Sequence, residues 1–316
     1  MHGLVIRNTG SWYTVLADEG GTWETKVKGN FRLRGIRSTN PVAIGDKVEF
    51  VPQGDGTGLI SSIDDRKNYV IRKATNLSKQ SHIIAANVDQ CFLIVTLKHP
   101  ETSTTFIDRF LASAEAYRIP VVLVVNKTDL LTDADDRDCL EAVCQLYKTV
   151  GYDCRPVSAE TGEGVDELHR LLEGRVTLLS GNSGVGKSTL INRLFPGLNL
   201  KTAEVSDAYD TGKHTTTFSE MFIQDNGPDR RPSCIIDTPG IKGFGTFDME
   251  REEVGHYFRE IFRFSADCRF NNCTHTHEPG CAVLEALSRH DISESRYNSY
   301  LSMLDDKDED RYRQGY

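Results

Sequence analysis

Long apolar stretches, tryptophan and net positive charge are all scarce in this chain. Its 316 residues include two tryptophans and four methionines, and its longest purely apolar run is about five residues, Val121 to Val125. A bilayer-spanning helix needs roughly 20, so no membrane partner is expected. The start, Met1 to Arg7, lacks the charged and apolar regions of a secretory signal. A cytoplasmic, reducing location is therefore the expectation. The eight cysteines then read as thiols or metal ligands rather than disulfides. The net charge is -9, which on average argues against a nucleic-acid partner. Local charge decides where a polyanion sits, and residues 1–73 carry an excess of Lys and Arg over Asp and Glu. Lys26, Lys28, Arg32, Arg34 and Arg37 cluster there.

Along the chain the pattern changes twice. In the first seventy residues, Leu4 to Ile6, Trp12 to Leu16, Thr22 to Val27, Phe31 to Leu33 and Lys47 to Val51 read as short strands separated by glycine turns. That spacing predicts a small barrel. A polar connector, Ala74 to Ser81, follows. Beyond it, Cys91 to Thr96, Val121 to Val125, Val176 to Leu179 and Ile235-Ile236 are almost wholly apolar, as in parallel strands buried on both faces. Helical spacing of Ile107, Phe110, Leu111, Ala114 and Tyr117, and of Val143, Leu146, Tyr147 and Val150, alternates with them. A doubly wound α/β domain follows. After about residue 250 the chain reads as helical, with Tyr297, Tyr300, Leu301 and Leu304 on a late amphipathic helix and a frayed acidic end from Asp305 to Tyr316. Three domains are expected, at 1–73, 74–250 and 251–316.

Gly181-Asn182-Ser183-Gly184-Val185-Gly186-Lys187-Ser188 is a phosphate loop in the right context, after a strand and before an apolar-periodic helix. Its backbone N–H groups and the helix N-terminus suit phosphate oxygens. Lys187 would meet the β- and γ-phosphates and Ser188 would ligate Mg²⁺; Thr189 completes the set. Asp237, ending Cys234-Ile235-Ile236, suits a Mg²⁺-side carboxylate, and Gly240 of Asp237-Thr238-Pro239-Gly240 would offer its N–H to the γ-phosphate. Asn126-Lys127-Thr128-Asp129 follows a buried strand. The Asp129 carboxylate can accept from guanine N1–H and the exocyclic amine, which adenine cannot supply. Ser158-Ala159 would close the base pocket through backbone N–H groups near guanine O6. The base motif precedes the phosphate loop, the reverse of the usual order, so the GTPase domain is circularly permuted.

This order, with Gly212-Lys213-His214-Thr215-Thr216-Thr217 and Asp237 to Ile241, resembles the RsgA (YjeQ/YloQ) family of small-subunit-dependent bacterial GTPases. The resemblance covers nearly the whole chain. It implies an OB-like N-terminal barrel, the permuted α/β GTPase and a zinc-bearing helical C-terminal domain. It also implies late maturation of the 30S subunit, contact with 16S rRNA, and hydrolysis of GTP to GDP stimulated by the subunit. Ile241 stands where many GTPases place a water-orienting Gln. His214 is the best candidate for that role, and the resemblance points to it too. Among the neighbouring threonines, Thr216 is favoured for Mg²⁺.

Cys268, Cys273, His275 and Cys281 offer three thiolates and an imidazole within fourteen residues, a full tetrahedral set for one structural Zn²⁺. His277 is an alternative fourth ligand. Cys91, Cys139, Cys144, Cys154 and Cys234 read as small core residues. Trp12, Tyr13, Trp23 and Phe31 lie among basic residues, a combination OB folds use on nucleic acid, although aromatics in small barrels more often fill the core. The stretch Lys26 to Arg37 is the better site for rRNA phosphate. A monomer is expected. The rivals are a permuted GTPase of the large subunit, disfavoured by the barrel and zinc motif, and an RNA-binding scaffold that uses GTP as a structural ligand.

Overall fold

A computed structural model of the chain describes residues 1–27, 41–73, 81–198, 200, 220–227, 230–237 and 249–313, leaving aside the side chains of residues 72, 73, 81, 82 and 306–313. Five strands near the N-terminus, β1 (His2–Asn8), β2 (Tyr13–Ala17), β3 (Thr22–Val27), β4 (Lys47–Pro52) and β5 (Thr57–Ile63), pair in the order β1-β2-β3-β5-β4. A further β4–β1 pairing closes the ring. β3 and β5 run parallel and the other neighbours antiparallel, which is the five-stranded barrel of an OB fold. Alternation explains the closure: Val5, Tyr13, Val15, Val48, Phe50 and Ile60 point inward and are buried. Phe31 to Leu33 lie outside the described residues.

Strand β6 (Tyr69–Lys73) pairs antiparallel with β7 (Ser81–Ala86), so the division expected at 73/74 falls between the two strands of one hairpin. The second region holds β8 (Gln90–Val95), β9 (Val121–Val125), β10 (Asp153–Pro156), β11 (Val176–Ser180), β12 (Glu220–Gln224) and β13 (Ser233–Asp237). Their spatial order is β10-β9-β8-β11-β13-β12, and β12 alone runs antiparallel to its neighbour β13. β12 also meets β1 antiparallel at Glu220↔Arg7, which joins this sheet to the barrel.

The apolar strands have two buried faces. Cys91, Leu93 and Val95 of β8 and Val121, Leu123 and Val125 of β9 pack on one side, against α1 (Thr104–Ala116) and α2 (Ala134–Val150) through Ile107, Phe110, Leu111 and Tyr147. Phe92, Ile94, Val122 and Val124 face the other side, against α3 (Val165–Leu172) and α4 (Lys187–Leu194). Side-chain alternation across a sheet covered on both sides produces the unbroken runs Cys91 to Val95 and Val121 to Val125.

The C-terminal region comprises α5 (Arg259–Ser265), α6 (Ala282–Ser288) and α7 (Glu294–Arg313), packed with Ala112 of α1 around Phe258, Ile261, Tyr297 and Tyr300. The end expected to fray from Asp305 is helical as far as Arg313. Cys91, Cys144, Cys154 and Cys234 are buried as expected, but Cys139 is exposed. It lies on the outer face of α2, among exposed Arg137, Asp138 and Glu141.

Candidate functional site

Strands β8 and β11 are neighbours whose next strands in the chain lie in opposite directions, β9 on one side and β12, beyond β13, on the other. Open α/β sheets bind ligands at the carboxyl ends of strands at such a switch point. The loops after β8, β9, β10 and β11 emerge at that edge, and three of them carry the sequence motifs.

The loop after β11 is drawn tight by its glycines. Gly181 has φ +147° and Gly186 has φ +92°. A Cβ on Gly181 would sit 2.2 Å from the Ile94 carbonyl oxygen, and one on Gly186 would sit 2.5 Å from Asn126 Nδ2. Both positions therefore need glycine for close approach as well as for backbone conformation. Val185 is buried, while Ser183 and Gly184 form the exposed lip. Asn182, Ser188 and Thr189 are half-buried, the latter two on the first turn of α4. The Lys187 ammonium folds over the loop and donates to the Gly181 and Asn182 carbonyls, each at 2.8 Å. Burial depresses its pKa, and the Asp237 carboxylate at the end of β13 pulls in the other direction. A charge that has lost water and whose hydrogen bonds, among the described residues, go to local carbonyls is suited to exchange them for anionic oxygens.

Asn126 ties the loops together. Its Nδ2 donates to the Val185 carbonyl at 2.8 Å, and its Oδ1 accepts from the Ala159 N–H at 2.9 Å. Ser158 is buried and its hydroxyl donates to Asp129 Oδ1 at 2.5 Å. The Ser158 Oγ also accepts from Thr161 N–H at 3.0 Å. Asp129 is exposed, so one face of its carboxylate is fixed by Ser158 and the other is open to a base. Lys127 holds a left-handed φ of +65°, and its ammonium donates to the His99 carbonyl in the loop after β8. Burial lowers the Lys127 pKa and Asp129 counteracts it. Residues 126–129, 158–159 and 181–187 thus share one edge, although 59 residues separate Asn126 from Val185. His214, Thr216 and Gly240 lie outside the described residues.

A second site lies in the C-terminal region. The donor atoms of Cys268, Cys273, His275 and Cys281 all lie within 4.8 Å of one another. Cys268 Sγ is 3.6 Å from His275 Nδ1, Cys281 Sγ is 3.5 Å from it, and the two sulfurs are 3.9 Å apart. Tetrahedral zinc–thiolate and zinc–imidazole bond lengths imply separations of about 3.8 Å for S···S and about 3.6 Å for S···N. The set fits such an ion. Burial pushes the Cys273 thiol up to about 12, with Cys281 and Cys268 adding to it, so three thiolates here call for a compensating cation. Glu278 braces the knuckle by accepting from the N–H groups of Thr274, Thr276 and His277. Tyr297 and Tyr300 donate to the carbonyls of His275 and Thr274 at 2.6 and 2.7 Å. His277 is exposed, its Nδ1 lies 2.8 Å from Thr276 Oγ1, and it is not in the cluster.

In the barrel, Tyr13 is core and Trp23 packs on Phe50 at 5.9 Å between ring centres. Trp12 is half-buried with the Lys26 ammonium 4.0 Å over its ring. Lys28, Arg32, Arg34 and Arg37 lie outside the described residues.

Sequence reasoning missed the fully buried Arg296. It donates to both Glu260 carboxylate oxygens at 2.6 and 2.9 Å and to Asp108 Oδ1 at 2.8 Å. Tyr147 OH adds a bond to the same Asp108 oxygen. The one available signal was a charged residue, Asp108, inside the apolar face of α1.

The description "RsgA GTPase" matches residues 63–247, and "RsgA N-terminal domain" matches residues 2–60. The small ribosomal subunit biogenesis GTPase RsgA of Phocaeicola vulgatus is 63% identical over 316 residues, covering all of both chains. The protein of that name from Porphyromonas gingivalis is 56% identical, again over the whole of both. Among solved structures, YjeQ from Thermotoga maritima superposes with a TM-score of 0.75 at 36% identity, over 96% of this chain and 97% of that one. YloQ, a circularly permuted GTPase, gives 0.72 at 27% identity, over 98% and 95%.

Proposed function

The chain belongs to the RsgA family of circularly permuted GTPases, and from that premise we propose that it binds GTP at the edge gathered by Asn126 and hydrolyses it during biogenesis of the small ribosomal subunit. The observation that supports the reading best is the double bond of Asn126, which joins a base loop to a phosphate loop across the permuted chain. Asp129 reads guanine N1–H and the exocyclic amine. Lys127 flanks the base, and Ser158-Ala159 close the pocket on the O6 side, their N–H groups donating to the Glu163 carbonyl and to Asn126 Oδ1. The N–H groups of Gly181 to Gly186, with Lys187, Ser188 and Thr189, hold the phosphates.

Ser188, Thr216 and Asp237 would hold Mg²⁺, and Gly240 would donate its N–H to the γ-phosphate. When bound, Mg²⁺ neutralises charge on the β- and γ-oxygens. Ile241 has no polar group for water, so His214 orients the attacking water. Zn²⁺ is the ion of the Cys268, Cys273, His275 and Cys281 cluster, and its closed four-ligand set makes it structural.

The division at 1–73, 74–250 and 251–316, its first boundary bridged by the β6–β7 pairing, gives each task its own part: a barrel that meets 16S rRNA through Lys26 to Arg37, a GTPase, and a zinc domain docking on the 30S subunit. The protein acts as a cytoplasmic monomer and leaves the subunit after hydrolysis. Measuring GTP turnover with and without purified 30S subunits tests this. Turnover that rises with the subunit is expected. Turnover that is absent in both conditions, or unchanged by the subunit, would overturn the reading.

A further inference from the structure

The loop after β8 carries none of the nucleotide motifs, yet its tip touches both the base motif and the phosphate loop. Its mouth is closed by reciprocal bonds: Thr102 N–H donates to the Thr96 carbonyl at 2.9 Å, and Thr96 N–H to Thr102 Oγ1 at 3.2 Å. Both threonines are buried. The Thr96 hydroxyl reaches across the turn and donates to the Pro100 carbonyl. Beside it, His99 holds φ +50°, a left-handed conformation that a residue with a Cβ adopts only where its surroundings impose it. The His99 carbonyl accepts from the Lys127 ammonium of the base motif. The Pro100 ring lies against the lip of the phosphate loop, where a Cβ on Gly184 would sit 3.4 Å from Pro100 Cδ. Between these contacts, Lys127 Cε passes 3.9 Å from the Cβ position of Gly186. Lys98 pins the outer side of the turn to α2 through Asp136 Oδ1 at 2.5 Å.

We infer that Thr96 is a positioning residue for the nucleotide: through the turn that carries His99, its hydroxyl anchors the Lys127 ammonium and holds the lysine stem as a preformed wall for the base. This rests on the nucleotide reading proposed above, in which Lys127 flanks the base. A lysine stem is long and flexible, and ordering it costs rotamer entropy on a scale that matters to binding. A stem whose ammonium is already bonded to a fixed carbonyl is ordered before the nucleotide arrives. Without the Thr96 hydroxyl, the Pro100 carbonyl loses this donor and the left-handed His99 is free to relax. The lysine must then be ordered by the nucleotide itself.

The test is a double-mutant cycle on the full-length protein, read by equilibrium titration of GTP. Thr96→Val keeps the buried shape and removes the hydroxyl. Lys127→Met keeps the stem and removes the ammonium. Thr96→Val should weaken GTP binding by about 3- to 10-fold, the usual effect of one hydrogen bond. In the Lys127→Met background the same change should cost less than about 2-fold, because the anchored group is already gone. Thr96→Ser, which keeps the hydroxyl, should bind as the wild type does. Thr102→Val, which opens the mouth of the turn, repeats the cycle at a second position if Thr96→Val fails to fold, and should show the same dependence on Lys127.

Wild-type affinity in a folded Thr96→Val would overturn the inference. So would equal losses with and without the Lys127 ammonium, which is what a purely structural role for the hydroxyl predicts. Wild-type affinity in Lys127→Met would overturn it too, because the anchored group would then contribute nothing. A wild type that binds GTP no better than ATP would instead bring down the nucleotide reading on which the inference stands.

Discussion

The nucleotide edge and the cysteine–histidine knuckle are held by opposite means. At the first, strands with two buried faces deliver loops to one edge, and the side chains of Asn126 and Ser158 tie the loops together: Asn126 to Val185, Ala159 to Asn126, Ser158 to Asp129. At the second, four ligands sit on a short loop between α5 and α6, and three of them are thiols whose charged forms repel. The fold builds the first site; at the second, a bound ion would help to build the fold. The nucleotide edge should therefore survive loss of its ligand, and the knuckle should not.

Stripping the metal with a chelator, or replacing Cys273 with Ala, is the severest way to sharpen this contrast. Structural zinc contributes on the order of 10 kcal/mol to folding of small metal domains. Hydrogen-exchange protection should collapse over residues 268–300 and persist in β8, β9 and β11. Protection retained over the knuckle after complete metal removal would break the comparison.

Arg296→Met probes the seam between the two regions, since it strands the buried carboxylates of Glu260 and Asp108. The expected loss is about 3–5 kcal/mol, the usual consequence of breaking a buried pair by removing one partner. Denaturant unfolding measures it. A variant that replaces all three residues with apolar ones should recover much of the loss, because no charge is then left unpaired.

Lys187→Ala should weaken GTP affinity by about 10²-fold through the lost charge-assisted bonds to phosphate. It should leave the melting temperature without nucleotide nearly unchanged, because the lysine's hydrogen bonds among the described residues stay within its own loop. Isothermal titration and a thermal melt together check both halves of that statement. A large drop in melting temperature would mean that this side of the edge, too, depends on its charged group.

The parts legible in the sequence are those whose physics is local. Val121 to Val125 and Cys91 to Val95 stand out because burial on two faces removes every polar residue. Gly181 to Ser188 and Cys268 to Cys281 stand out because their partners are near in sequence. Strands β5, β10 and β12 were illegible. Ser61 and Ser62, Asp153 and Arg155, and Glu220 and Gln224 keep polar groups at edges or on the half-buried barrel wall. The stretch read as a connector up to Ser81 leads into a strand, because β7 finds its partner in β6 and its apolar residues are only Ile83, Ile84, Ala85 and Ala86. Distance hid the rest. Arg296 meets Asp108 across 188 residues, and Arg193 meets Ala159 across 34. Cys139 was misread because helical residence alone does not say which face a side chain takes.

Everything at the nucleotide edge turns on one assignment: the open face of the Asp129 carboxylate, steadied by Ser158, reads guanine. Titrating wild type and Asp129→Asn with GTP and xanthosine triphosphate tests it most directly. The wild type should prefer GTP. The variant should reverse the order, because its amide can donate to the two-position carbonyl of xanthine where the carboxylate accepted from the amine of guanine. Unaltered preference for GTP in Asp129→Asn would remove Asp129 from the pocket and contradict the account.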